Sequence, residues 1–463
     1  MSSRKLSVWL CGSALAASLA VPAYADTLES ALVQAYQNNP TLNSQRAAVR
    51  ATDEGVPQAL AGYRPRVSAT GSVGQIYTDL TNRSPLGGPN TTIQDSFVAS
   101  SLGLTTTQTL FNGFQTTNRT RQAESQVFAA RETLRVTEQN VMLNAATAYM
   151  NLLRDTAILD LQRRNVEVLQ EQLRQTRDRF NVGEVTRTDV AQSESRLAAG
   201  RSQVLTAEAN QKTSAAIYRQ VVGINPGRLT AASPVDRFSP ATQPASIDAG
   251  TSQHPNVVNA QYNVDVATSQ VKIAEGALLP NLSLQGNVTQ NWMPSLNIDK
   301  QFTASALAQV TVPIYQGGAE YSAIRQAKET LGQRRIDLDT ARDQVRQTIV
   351  QSWGQLDAAK ANIEATQAQV QAAEIALNGV REEARIGQRT TLDVLNAQQE
   401  LVNARVSLVG AQRDRVVASY ALLSAVGRLS PQTLGLRVPA YDPRVHYHQV
   451  RDSWVGVRTP DGR

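Results

Sequence analysis

The sequence predicts an α+β membrane protein in which a sector of β-barrel is continued by very long coiled-coil helices, the whole built by internal duplication. Three observations carry that expectation. Motifs of the first half return in the second at two fixed offsets. Two proline-free stretches, 114–222 and 318–427, hold an apolar heptad. Between the helices lie runs with the two-residue period of a half-exposed strand.

Residues 1–25 read as a secretory leader. Arg4 and Lys5 are basic, residues 6–21 are apolar, and Ala23-Tyr24-Ala25 gives a small-x-small cleavage site before Asp26. Cys11 lies within the leader, behind Trp9-Leu10, too bulky for a lipoprotein box, so no lipid anchor is expected. Cleavage then leaves a chain without cysteine, and without disulfide, thiol or cysteine–metal chemistry. The formal charge of +6 becomes +4 once Arg4 and Lys5 are gone. The remaining charges are scattered, so nucleic acid is not an expected partner. No run of about 18 apolar residues follows the leader, so a membrane could be entered only as a β-barrel.

Self-similarity sets the organisation. Asn39-Pro40 corresponds to His254-Pro255, Pro65 to Pro280 and Gly71 to Gly286, all at an offset of 215. LFNGF (110–114) corresponds to IYQGG (314–318), Arg121-Gln122-Ala123 to Arg325-Gln326-Ala327, and Gly183 to Gly387, all at an offset of 204. The difference between the two offsets falls in the longer loop of the first half, between positions 78 and 96. The first repeat, 26–224, is expected to hold a helix, strands 66–77 and 97–111, a long helix 114–181 and a return helix 187–222. After a linker at 225–250, the second repeat (251–430) has strands 281–292 and 301–315, a long helix 318–385 and a return helix 391–427. Residues 431–463 form a tail.

In the long helices Ala145, Leu152, Leu159, Val166, Leu173 and Phe180 recur every seven residues, matched by Ile349, Leu356, Ile363, Val370, Leu377 and Ala384. A heptad held that long predicts a coiled-coil seam. The run 114–181 is about 100 Å of helix at 1.5 Å per residue, far longer than a compact domain needs. In 281–292, Leu282, Leu284, Val288 and Trp292 share a face opposite Asn281, Ser283, Gln285, Asn287 and Thr289. In 301–314, Phe302, Ala304, Ala306, Ala308, Val310, Val312 and Ile314 share one. Such alternation over about a dozen residues suits a transmembrane strand. Four strands cannot close a barrel, and an open edge in lipid has no hydrogen-bond partner. Several copies must therefore join, giving 8, 12 or 16 strands, and the polar inner face disfavours 8, whose interior side chains fill.

The chain resembles the outer-membrane efflux proteins of the TolC family. The resemblance covers essentially all of 26–430. It rests on the duplicated order, the opening TLESALVQAYQNNP (27–40), Pro65 and Pro280 at strand entry, and the paired motif G-x-x-T-x-x-D-V in VGEVTRTDV (182–190) and IGQRTTLDV (386–394). It implies a homotrimer: a 12-stranded barrel in the outer membrane, a periplasmic tube of 12 helices, and an equatorial belt holding 225–250. The tail would be equatorial or disordered, with His446 and His448 on a solvated segment. The implied partners are outer-membrane lipid, a periplasmic adaptor and an inner-membrane pump of RND, MFS or ABC type, for drug efflux or type I secretion. Competing readings are an adhesive or structural stalk with a barrel anchor, and a periplasmic adaptor.

No catalytic constellation is visible: no phosphate loop, no defensible Ser-His-Asp set, and three histidines, so no cofactor or metal is expected and the protein is read as not an enzyme. The paired motif remains. Gly183 and Gly387 read as left-handed helix ends. Thr186 with Asp189 and Thr390 with Asp393 have capping-box spacing. The resemblance adds a second role, in which the two hairpin tips form the periplasmic gate. Asp393 matches a luminal ring aspartate, Arg389 a gate arginine and Asp189 its outer-hairpin partner. Ala384 stands where the family's pattern has a tyrosine and Asn396 where it has a second ring aspartate, so one carboxylate ring and one link fewer are expected. An adaptor would dock on Gly183, Val185, Thr186, Gly387, Thr390 and Leu392.

Overall fold

The computed structural model describes residues 26–83, 87–460 and 462; the leader expected at 1–25 lies outside them. Thr27 accepts from the Ser30 N–H to start α1 (Leu28–Asn38), and Asn39 accepts from Thr41 and Leu42 to start α2 (Pro40–Asp53), followed by α3 (Gly55–Leu60). Proline at the first helical position suits a place whose N–H has no helical partner. Then come β1 (Arg66–Asn82), β2 (Thr91–Asn112), α4 (Gln115–Asn181) and α5 (Arg187–Val222). The second half repeats the order with α6 (Gln243–Gln253), α7 (Pro255–Gly276), β3 (Asn281–Ser295), β4 (Ile298–Thr311), α8 (Ala319–Arg385) and α9 (Thr391–Ala425), before α10 (Pro443–Val450).

The four strands form one antiparallel sheet in the order β1-β2-β3-β4. Arg66 pairs with Thr107, and Asn281 pairs with Thr311. The second pair is the first shifted by 215 on one strand and 204 on the other, so the two hairpins share one register. On one face Val67, Val73, Tyr77, Val98, Leu102, Leu104, Leu284, Val288, Phe302 and Val310 are all exposed, a mainly apolar band, broken by Gln75, Ser100 and Gln290, of the kind lipid covers. The first hairpin is longer than the sequence suggests. Its ladder continues to Asn82 and Thr91, where Thr81 bonds Thr92 and Gln94 donates to Asp79. Polar cross-strand pairs hold it where apolar alternation has stopped.

Each hairpin hands over to its long helix through two consecutive left-handed residues, Gly113-Phe114 (both φ +62°) and Gly317-Gly318 (φ +73° and +88°). Gly113 is fixed by space as well as by φ, since a Cβ there would lie 2.2 Å from the Gly276 carbonyl oxygen. Below the turn the heptad column is buried: Ala145, Leu152, Leu159 and Leu173 in α4, and Ile349, Leu356 and Leu377 in α8. At the belt, α1, α2, α4, α5 and α9 meet around Tyr149, fully buried, whose hydroxyl lies 2.7 Å from the Asp26 and Thr230 carbonyls and accepts from the Thr230 N–H.

The tail is neither solvated at His446 nor shapeless. Asp442 caps α10, which packs on α2, and His446, 8% exposed, has Nδ1 3.0 Å from Oδ2 of the fully buried Asp53. Arg46 lies between the rings of Tyr36 and Tyr441, and Arg131 between those of Phe128 and Tyr447. A buried carboxylate needs a partner, and the tail supplies one.

His254 occupies in the second repeat the place of Asn39 in the first, and caps α7 with Nδ1 accepting from the Asn256 N–H at 3.1 Å. Burial lowers its pKa to about 4, from 6.5. The folded protein therefore binds this proton less readily than the unfolded chain. The stability it permits is complete above about pH 6.5 and declines as pH falls towards 4, by an amount on the order of 3 kcal/mol for a shift of this size. His254→Asn keeps an acceptor and removes the proton. The Tm of the detergent-solubilised variant is expected to fall less than that of the parent between pH 6.5 and 4. Identical profiles would count against His254.

Candidate functional site: the paired hairpin tips

The two tips are built alike. In the first, the Gly183 N–H reaches the Phe180 carbonyl at 3.0 Å and the Glu184 N–H that of Arg179 at 2.9 Å. In the second, Gly387 reaches Ala384 at 3.2 Å and Gln388 reaches Glu383 at 2.9 Å. Each pair closes a helix in a Schellman turn, with glycine at φ +81° and +82°. Three residues on, Thr186 and Thr390 start the return helices with both halves of a capping box present. The Asp189 carboxylate accepts from the Thr186 N–H at 2.9 Å and its hydroxyl at 2.7 Å; Asp393 accepts from Thr390 at 3.0 and 2.9 Å.

The tips differ in the charges across the turn. In the first, Arg179 donates to Glu184 at 3.0 Å. In the second the order is reversed, with Glu383 on the helix and Arg389 in the turn, 2.8 Å apart. A carboxylate in the last turn of a helix opposes the helix dipole, so Glu383 is placed for its contact with Arg389 and not for the helix. That contact, foremost, keeps Arg389 firmly protonated. The backbone N–H of Thr390, and then its hydroxyl, hold the Asp393 carboxyl below the usual range. Both tip charges therefore persist through the physiological pH range.

Within one chain the two helical hairpins are also tied together, by Asn396 and by four residues that sequence alone did not single out, Arg196, Asn165, Gln398 and Arg381. Asn396 on α9 accepts from Arg196 of α5 at 2.7 Å. Gln398, one turn from Leu395, donates to Asn165 of α4 at 3.3 Å and accepts from Arg381 of α8 at 3.0 Å. Asn165 and Gln398 are 3% and 9% exposed. A signal for this existed: Gln398 falls on the face of α9 that carries Val394 and Leu401, where an apolar residue is expected. Ala384 lies in a cleft between the hairpins with Arg179, Glu184, Arg385 and Val394. Among the described residues, Asp189 bonds within its own capping box and makes no contact with Arg389 inside one chain. Gly183, Val185, Thr186, Gly387, Thr390 and Leu392 crowd the two turns at the far end of the helices from the sheet. No His/Cys/Asp/Glu group that could hold a metal occurs among the described residues.

Removing a threonine cap typically costs about 1 kcal/mol. Thr390→Ala is expected to speed amide exchange over 391–394 roughly fivefold, a factor that matches this loss, and Thr186→Ala to do the same over 187–190. Unchanged exchange in both would show that the boxes do not hold the tips.

The sequence profile of the outer membrane efflux protein family matches residues 31–223 and 247–428, one segment in each repeat. The chain is 43% identical to the outer membrane efflux protein BepC of Brucella suis, over 98% of this chain and 96% of that one. It is 27% identical to the outer membrane protein TolC of Escherichia coli, over 89% and 84%. Its fold is similar to that of the CmeC outer membrane channel of Campylobacter jejuni, with a TM-score of 0.73 at 17% identity, covering 92% of this chain and 89% of that one. With the profile matched in both repeats and a relative aligned nearly end to end, the chain belongs to the outer membrane efflux protein family, whose members are channels of the outer membrane and not enzymes.

Proposed function

We propose that three copies of this chain close an outer-membrane exit duct of a tripartite export system, with the hairpin tips as its periplasmic gate. The observation that carries this reading is one chain holding both an apolar-faced, open-edged four-stranded sheet and two helices of 67 residues that each follow one of its hairpins. The sheet is long enough to cross a membrane, and the helices carry the wall about 100 Å away from it. Polar luminal side chains (Ser72, Thr105, Asn287, Gln309) leave a wet pore. An adaptor docks on the tips, and an inner-membrane pump behind it supplies the energy, which the duct lacks. Drugs or polypeptides are the cargo classes.

Gating is a movement of the inner hairpin (α8 and α9) against the outer one (α4 and α5). The closed arrangement is favoured by Arg389–Glu383 on the inner tip and by Arg196–Asn396 and Asn165–Gln398–Arg381 between hairpins. A partner opens it only by binding the open arrangement more tightly. Three copies of Asp393 around one axis form a carboxylate ring, which attracts cations and repels anions.

In planar bilayers, Arg389→Ala and Arg196→Ala are expected to raise single-channel conductance by a factor of roughly two or more. Asp393→Asn keeps a capping oxygen and is expected to lower cation selectivity. Parent-like behaviour of all three would remove the tips from the gate. Residues 26–463 contain no cysteine, so Val185→Cys and Leu392→Cys each give a single crosslinking site. Capture of an adaptor at either is expected; failure at both removes the tips as the docking surface.

A further inference from the structure

The duplication fixes more than the fold of one chain, because in each repeat one strand has both its neighbours and the other has one. β2 lies between β1 and β3 and stays in the ladder to Asn112. Its counterpart β4 is an edge strand and stops at Thr311, short of Gln316, the counterpart of Asn112. The intervening Ile314 and Tyr315 are 90% and 76% exposed. β1, the counterpart of β3, is the other free edge. What β2 and β3 do for each other inside the chain, β4 and β1 are left to do with another copy. In lipid those edges must be paired.

We propose that the subunit seam repeats the β2–β3 register, so that Gln309 lies directly opposite Ser72 of the partner subunit. This rests on the assembly of several copies proposed above. The two hairpins of one chain show that the offsets are faithful, since β1–β2 becomes β3–β4 when 215 is added to one strand and 204 to the other. Applied to β2–β3, the same offsets carry Thr105↔Asn287 to Gln309↔Ser72, Leu104↔Val288 to Ala308↔Val73, and Ser100↔Trp292 to Ala304↔Tyr77. In the chain, Thr105 donates to Asn287 at 3.2 Å; at the seam, Gln309 and Ser72 are again a hydrogen-bonding pair.

Three further observations agree with this register. It sets Ala304, Ala308, Val310 and Val312 beside Tyr77, Val73, Gly71 and Ala69, all on the apolar face; a slip by one residue would mix the faces. It places Pro313 and Ile314 at the bulge that β2 makes against β3 between Thr109 and Phe111, where a strand tolerates a proline. In the helical wall, the same offsets carry the tilted ring pair Phe128 and Tyr262 of α4 and α7 (5.3 Å between ring centroids) to Gly332 and Ala47. Nothing lies within 4 Å of where a Cβ of Gly332 would stand. A glycine inside an exposed helix costs about 1 kcal/mol against alanine; a close approach by α2 of the partner subunit gives it a purpose.

The test is a disulfide series in full-length protein extracted from the outer membrane. Ser72→Cys with Gln309→Cys is compared with Ser72→Cys plus Leu307→Cys, and with Ser72→Cys plus Thr311→Cys. All four positions face the lumen, where an aqueous oxidant reaches them. Within one chain the β4 residue level with Ser72 is Gln301, eight residues from 309; positions 72 and 309 are thus well over three strand spacings (roughly 14 Å) apart, beyond a disulfide, so any bridge joins two chains. The first pair is expected to give a covalent closed oligomer on a non-reducing gel, and the other two at least about tenfold less, because diagonal neighbours stand about 7–8 Å apart. Preferential bridging by a control pair overturns the register. So does the absence of bridging by all three pairs in a protein whose mass shows it to be a trimer. A monomeric mass for the extracted parent protein would instead overturn the assembly reading itself.

Discussion

Everything in this protein follows from the need of backbone amides in lipid to find partners within protein. Water is absent there, and an unpaired strand edge costs several kcal/mol for each exposed group. Four strands are too few to curl into a closed wall, so in the proposed assembly the two outer strands pair with other copies. The helices inherit the consequence: they leave the sheet at its lower rim, side by side, so a wall of strands becomes a wall of helices. Gly113 and Gly317 make that handover. No residue with a Cβ could take the Gly113 place beside Gly276.

At the other end of the helices the demands are opposite. There the backbone is solvated, and the tips need hold together only well enough to define a mouth. The same threonine–aspartate box ends both turns, so the carboxylates of Asp189 and Asp393 are held by hydrogen bonds before they meet any ion. The cap is compatible with the proposed luminal role. Fixing Asp393 by its own backbone orients it and keeps it charged, which suits a luminal ring. The inverted pair Glu383–Arg389 sets the inner tip apart from the outer, and of the two positions where the lock was expected to be lighter, Ala384 and Asn396, the second makes a tie of its own, to Arg196.

The legible parts of the sequence were those set by local repetition. A heptad column, two strand alternations and a glycine three residues before a threonine each state a geometry within a few turns of chain. The repeat offsets, drawn from Asn39-Pro40 and Gly183, carry into the hairpin registers to the residue. The illegible parts join distant positions through side chains. Asp53 and His446 are 393 residues apart, and nothing near either announces the other. Arg196 looks like a solvated residue, and nothing marks it as the partner of Asn396, until α5 and α9 are laid side by side. Gln398 was the exception, since a polar residue in an apolar stripe is itself a signal. The first hairpin's extra length escaped because its tip is held by Thr–Thr and Gln–Asp pairs, which follow no hydropathy pattern.

The closing of the belt by the tail bears on how the molecule is made. Leu434, Leu436, Val438 and Tyr441 pack on the core that surrounds Tyr149, to which α1, α2 and α4 from the start of the chain also contribute. The segment around residue 440 thus completes a core begun by α1 and α2, with the Tyr441 N–H donating to the Tyr36 hydroxyl across 405 residues of sequence. Contacts so far apart are rewarded only after the loop between them has closed, so sealing of the belt waits on the folding of both repeats.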